Sequence, residues 1–227
     1  MLNSGTSTSV MVRPRRNRRV FLHELRELLR LAGPIIVSQL GQVGMNVADT
    51  IMVGPLGATP LAAAGLGSAL HFFGVVLAIG IVLGMTPLVS QAFGAGDPLQ
   101  CRRVLIQGLW VALLLSLPIA GMNLGGGQLA ELLGQRSSVS ALTGGYMWAL
   151  TWGVAPYFLF MAFRQFLEGM GLVRAPMVIT FWGLALNVFA NRLFIYGVDG
   201  WLPAMGVVGT GWATTLVRWS MLLIMVG

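Results

Sequence analysis

Gln39, Gln42, Asn46 and Asp49 follow one another at spacings of 3, 4 and 3, and at 100° per residue that places them within about 80° of one another on one helix face. A row of amides ending in a carboxylate can hold a proton or a cation. Thr180, Asn187 and Asn191, separated by 7 and 4, form a second row of the same kind. Two amides one helical turn apart can hydrogen-bond a cation's water, a carboxyl group or each other. Thr210 and Thr214, and Ser68 with His71, add further polarity. No catalytic signature accompanies them: the chain has no GxSxG, HExxH, CxxC or EF-hand loop, and no lysine for a Walker A motif. Neither an enzyme nor an ATP-driven pump is expected, and no metal constellation or enzyme cofactor.

The surroundings make these residues conspicuous. The 227 residues are 56% apolar and only 9% charged, with a mean hydropathy of +0.80, whereas soluble domains are about a quarter charged. Lipid is the solvent that fits. A spanning helix needs roughly 20 mostly apolar residues, and six such runs are expected at 28–53, 61–92, 104–124, 142–163, 175–196 and 204–227. The fold class is therefore all-α, a polytopic membrane protein of six transmembrane helices. Residues 1–27 form an Arg-rich N-terminal segment, in which 21–29 reads as an amphipathic helix on the membrane surface; 28–227 is the transmembrane lobe. The second run is longer than a bilayer core, and its glycines with Pro87 allow a bend. Gly80 and Gly84 make a GxxxG match that carries little weight among 31 glycines.

All 14 basic residues are arginine, and seven precede Leu31. Arg102, Arg103, Arg164 and Arg174 fall at the even-numbered connections, so the positive-inside rule places both termini in the cytoplasm. The net charge of +7 belongs to a membrane face, and nucleic acid is not an expected partner. The acid-free N-terminus also suits a transit peptide, but no cleavable short apolar region follows it. Cys101, the single cysteine, excludes an intrachain disulfide, and its place beside Arg102 and Arg103 fits a reduced thiol in a cytoplasmic loop.

Lipid cannot satisfy the polar rows, so they face other helices or a water-filled cavity. Asp49 either lines that cavity or sits among outer headgroups near Gly54; the stripe of Gln39, Gln42 and Asn46 below it favours the cavity. Asn187 and Asn191 taken alone are equally well read as interhelical glue. Pro34, about four turns below Asp49, is a candidate hinge or a kink without function. His71 reads as a hydrogen-bonded packing residue rather than a proton carrier. Arg192 either snorkels to the outer interface or reaches Asp49, and Arg218 needs a partner or a wet crevice.

Five segments together resemble the multidrug and toxic compound extrusion (MATE) family, in its bacterial NorM-like branch: LAGPIIVSQLGQVGMNVADTIMVG, SQAFGAGD, FRQFLEGMG followed by Pro176, LALNVFANRLFIYG and GVVGTGWATTLVRW. The likeness runs over 28–226. It implies an antiporter of the bacterial inner membrane that exports organic cations or drugs against H+ or Na+, in a fold of two six-helix lobes around a cavity. Asp49 matches the family's first-span acid, with Na+ possible beside it, and Pro34 a bending proline. Asn187, Asn191 and Thr214 match polar groups of the same lobe; some proton-coupled relatives carry aspartate at the position of Asn191. Arg164 and Glu168 match an element bracing the cytoplasmic helix ends. Family members have about twelve spans, so a C-terminal lobe or a second half-chain is the expected partner, beside the bilayer. The alternatives are a non-transporting fragment or assembly subunit, and a lipid-linked-sugar flippase of related architecture, which would have a cavity richer in arginine.

Overall fold

The structure, a computed structural model, describes residues 18–227, with side chains for 25, 26, 28–30 and 32–227. Most of the Arg-rich segment, 1–17, lies outside the described residues. Nine helices are described: α1 (Arg18–Val53), α2 (Ala58–Leu83), α3 (Met85–Gly94), α4 (Pro98–Leu124), α5 (Gly126–Leu132), α6 (Ser137–Thr151), α7 (Val154–Gly169), α8 (Arg174–Tyr196) and α9 (Val207–Val226). No strand occurs among the described residues. Four stretches are long and apolar enough to cross a membrane, the α2–α3 pair counting as one, and the α6–α7 pair makes a fifth if its bend is a broken span. The sixth expected span is the polar-striped α1.

The expected boundaries are corrected in three places. The amphipathic segment 21–29 is not a separate surface helix; it is the beginning of α1, which runs unbroken through Pro34. The second and fourth spans are each two helices, and both breaks have one cause. A proline's ring clashes with the carbonyl four residues earlier and supplies no N–H to it. Pro87 thus stops α2 at Leu83, and Pro156 stops α6 just before Trp152, with a 49° bend between α6 and α7. The carbonyl of Trp152 freed in this way accepts the indole N–H of Trp219 at 3.0 Å.

Cys101 is also corrected. It lies buried in the first turn of α4 rather than in a loop, behind Asp97, whose side chain caps the helix by accepting from the Gln100 N–H at 2.9 Å. Gly96 takes the left-handed φ of +69° that the preceding turn needs. The Gly80/Gly84 match is not a packing motif here: a Cβ at Gly80 would meet nothing within 4 Å.

The core lies where α2, α4, α7, α8 and α9 meet, around Phe158, Phe160, Val217 and Met221. The outer surface is apolar, with Phe72, Phe73, Trp110, Leu114 and Leu117 exposed, a belt that water would not tolerate but lipid does. Small residues set the helix spacing that matters for Asp49. A Cβ at Gly41 of α1 would lie 3.0 Å from the Thr180 side chain, and one at Gly183 would crowd Met221 of α9 and Met45 of α1. Because both are glycine, α8 nests between α1 and α9.

Candidate functional site

That close packing joins Asp49 of α1 to α8 and α9. Asn187 donates from Nδ2 to Asp49 Oδ1 at 3.0 Å, and Asn191 donates to the same oxygen at 2.5 Å. The Asn191 amide also donates to Asn187 Oδ1 at 3.2 Å, so the two amides support one another as well as the acid. Thr214 reaches Asp49 Oδ2 with a long 3.4 Å contact. Asn187 and Asn191 are fully buried, while Asp49 is half-buried. The structure brings Asp49, Asn187, Asn191 and Thr214 together in one hydrogen-bonded cluster.

The donors are all neutral. No cationic side chain of the described residues forms an ion pair with Asp49, the one salt bridge among them being Arg164–Glu168. An ionised carboxylate held this way lacks a counter-charge in contact, and chemically it can take a proton or a metal cation. The Asn191 carbonyl oxygen is buried without a hydrogen-bond donor. It is an oxygen of the kind that hard cations take, on an amide whose Nδ2 donates to Asp49. No group of three His, Cys, Asp or Glu residues suited to a metal occurs among the described residues.

The other expected site residues fall into three groups. Gln39 and Asn46 are exposed and Gln42 half-buried, on a surface of α1 that this lobe leaves open. Thr180 is corrected: it lines no cavity, being fully buried, with its hydroxyl donating to the Pro176 carbonyl of its own helix at 2.8 Å. Arg164 and Glu168 pair at 2.7 Å within α7. Two surface grooves of about 430 and 650 Å³, between α5 and α6 and at the C-terminal end of α8, include none of the Asp49 cluster.

The two awkward arginines are resolved. Arg192 lies in the last turns of α8 over the Tyr196 ring, 5.0 Å from its centroid, and forms no ion pair with Asp49. Arg218 lies 4.7 Å over the Tyr157 ring and bonds His71 at 3.2 Å. His71 in turn bonds Asn123, which fits the packing role expected of it. Asn123, Tyr157 and Tyr146, whose hydroxyl bonds Ser68 at 3.0 Å, were not singled out by sequence. An amide in an apolar third span, where Gln107 is the other, was the available signal for Asn123.

Comparison with known proteins gives the family of the chain. The chain is 40% identical over 195 residues to a probable multidrug resistance protein NorM of Bradyrhizobium diazoefficiens, covering 86% of this chain and 42% of that protein. It is 36% identical over 202 residues to the multidrug resistance protein NorM of Vibrio cholerae, covering 89% and 44%. The chain thus spans less than half the length of the curated relatives it matches. Among solved structures, a multidrug resistance MATE family transporter of the MOP superfamily in its outward-facing conformation superposes with a TM-score of 0.79 at 27% identity, over 87% of this chain and 43% of that one. The MatE family pattern matches residues 34–193, and the chain belongs to that family, whose members are transporters rather than enzymes.

Proposed function

We propose that this chain is the N-terminal lobe of a cation-coupled antiporter that exports organic cations or drugs. The observation that carries the reading is the Asp49 cluster: an intramembrane carboxylate fixed by three neutral side chains on two other helices. Coupling ion on Asp49 favours one opening of the transporter and organic cation favours the other, and the difference in affinities drives exchange. Gln39, Gln42 and Asn46 line the cavity from the open surface of α1, and Pro34 is the hinge below them. The protein sits in a bacterial inner membrane with both termini in the cytoplasm. One lobe leaves the amide row of α1 exposed, which supports a C-terminal lobe or a second half-chain opposite. A flippase cavity lined by arginine finds little support, since no arginine of the described residues pairs with Asp49 and Arg192 lies over Tyr196.

The direct test is uptake and extrusion of tetraphenylphosphonium by the full-length protein in proteoliposomes under imposed Na+ or H+ gradients. Gradient-dependent movement is expected; movement indifferent to both gradients overturns the reading. For the partner lobe, the intact native polypeptide should weigh near twice 24.2 kDa, or weigh 24.2 kDa and cross-link as a pair. A chain of that lower mass that never cross-links overturns both.

We favour Na+ as the coupling ion on the strength of the unpartnered Asn191 oxygen. Asn191→Ala should raise the half-saturating Na+ concentration by about tenfold or more, the loss of one charge-assisted contact, and leave any proton response in place. An unchanged half-saturating Na+ concentration would remove the Asn191 oxygen from the ion site, and a parent protein indifferent to Na+ would point to H+ alone.

A further inference from the structure

Arg218 is the second charge inside the lobe that has no opposite charge in contact, and its place is fixed from three sides. Its Nη2 donates to His71 Nε2 of α2 at 3.2 Å, and its guanidinium lies over Tyr157 of α7. Its aliphatic stem passes Gly153, where a Cβ would come 3.0 Å from Arg218 Cδ. A guanidinium can only donate, so His71 Nε2 accepts and Nδ1 carries the proton, which it donates to Asn123 Oδ1 of α4 at 3.2 Å. His71 is thereby neutral and takes none of the charge. No carboxylate of the described residues pairs with Arg218. Thr214, whose hydroxyl touches Asp49, precedes it by one helical turn, about 6 Å of rise. A guanidinium that cannot move away therefore stands near the Asp49 carboxylate without contacting it.

We propose that Arg218 is a fixed counter-cation that weakens the hold of the Asp49 site on its coupling cation and discriminates against dicationic ligands. The inference rests on the reading of Asp49 as the coupling site. Repulsion between fixed and arriving charge scales with the product of the two. At about 10 Å and an effective dielectric constant near 20 it reduces the affinity for a monovalent cation by on the order of tenfold, and for a dication by about the square of that. An antiporter benefits from this weakening, because a carboxylate that binds its ion too firmly cannot release it. The titratable groups facing Arg218 from the neighbouring helices are His71, Tyr157, Tyr146 and, across Thr214, Asp49; Asp49 is the one carboxylate among them.

The experiment is displacement of tetraphenylphosphonium, held at a trace concentration far below its own dissociation constant in each variant so that half-displacement reports the competing cation alone, from the purified full-length protein by Na+ and by H+. Arg218→Gln is expected to lower the half-saturating concentration of the displacing cation about tenfold. Its affinity for a bis-quaternary dication such as methyl viologen should also rise by roughly tenfold more than that for tetraphenylphosphonium. Arg218→Lys keeps the charge and should stay close to the parent. A role confined to packing would move neither half-saturation nor the dication ratio. If Arg218→Gln does not yield monodisperse protein, Arg218→Met fills the same space without a polar end and gives the same readout. Parental half-saturation in the neutral variant, or an equal shift in Arg218→Lys, overturns the inference. Asp49→Asn separates the two readings: if it removes ion displacement while Arg218→Gln shows the parental value, this inference alone fails. If ion displacement survives in Asp49→Asn, the coupling reading fails and takes this inference with it.

Discussion

Asp49→Asn in the complete transporter should reduce gradient-driven efflux to less than about a tenth of the parental rate, because the group proposed to bind the driving cation loses its charge. The variant should insert and fold normally. Asparagine has the same shape as aspartate, its Oδ1 can still accept from Asn187 and Asn191, and its Nδ2 can donate to the Thr214 hydroxyl that now contacts Asp49 Oδ2. Removing an ionised group from membrane depth also lowers the cost of insertion. The measurement is efflux of several organic cations from proteoliposomes at matched protein content, with and without the gradient. Undiminished efflux across all of them would remove Asp49 from the coupling mechanism.

The second large effect is on stability. Arg164 and Glu168 are 2% and 10% exposed at their side chains and are joined by a 2.7 Å bond. Arg164 Nη1 is already buried without a partner, so Glu168 is the acceptor that offsets this charge. Breaking a buried pair by removing one member leaves the other uncompensated, typically at a cost of about 3–5 kcal/mol. Glu168→Ala should therefore lower the apparent melting temperature of the detergent-purified full-length protein by several degrees. The double variant Arg164→Leu/Glu168→Leu should regain most of the loss, since no charge is then stranded. If Glu168→Ala melts with the parent, the pair is not the brace proposed for it.

Both predictions concern residues that the sequence singled out, Arg164 and Glu168 through the family resemblance and Asp49 through its solvent. Lipid cannot hydrogen-bond a carboxylate or an amide, so Asp49, Asn187 and Asn191 stand out in apolar runs where the same residues would be unremarkable on a soluble surface. The 3.6-residue period then states which of them share a face before any helix is placed beside another. Thr180 shows the limit of that argument. It has the correct spacing for the row containing Asn187 and Asn191, yet its hydroxyl bonds its own helix, because threonine, unlike asparagine, reaches the carbonyl one turn back.

Helix breaks were only partly legible. Pro87 and the glycines around it suggested a bend in the second span, and α2 does end at Leu83. Pro156 acts by the same steric rule on α6, but the apolar run there continues across the break, so hydropathy gave no sign of it. Pro34 lies within α1 and does not interrupt it; a proline in an apolar run weakens a helix without dictating whether the helix ends.

By itself the sequence determined that the chain is a bundle of membrane helices and that two polar faces on it require partners, since composition and period alone decide what lipid accepts. The tertiary structure decided which faces meet. Asp49 joins Asn187, Asn191 and Thr214 because Gly41 and Gly183 let three helices approach closely. Arg218 binds His71 and Tyr157 instead of Asp49 because contacts across α2, α7 and α9 depend on how helices rotate and pack against one another, and no one-dimensional spacing encodes that.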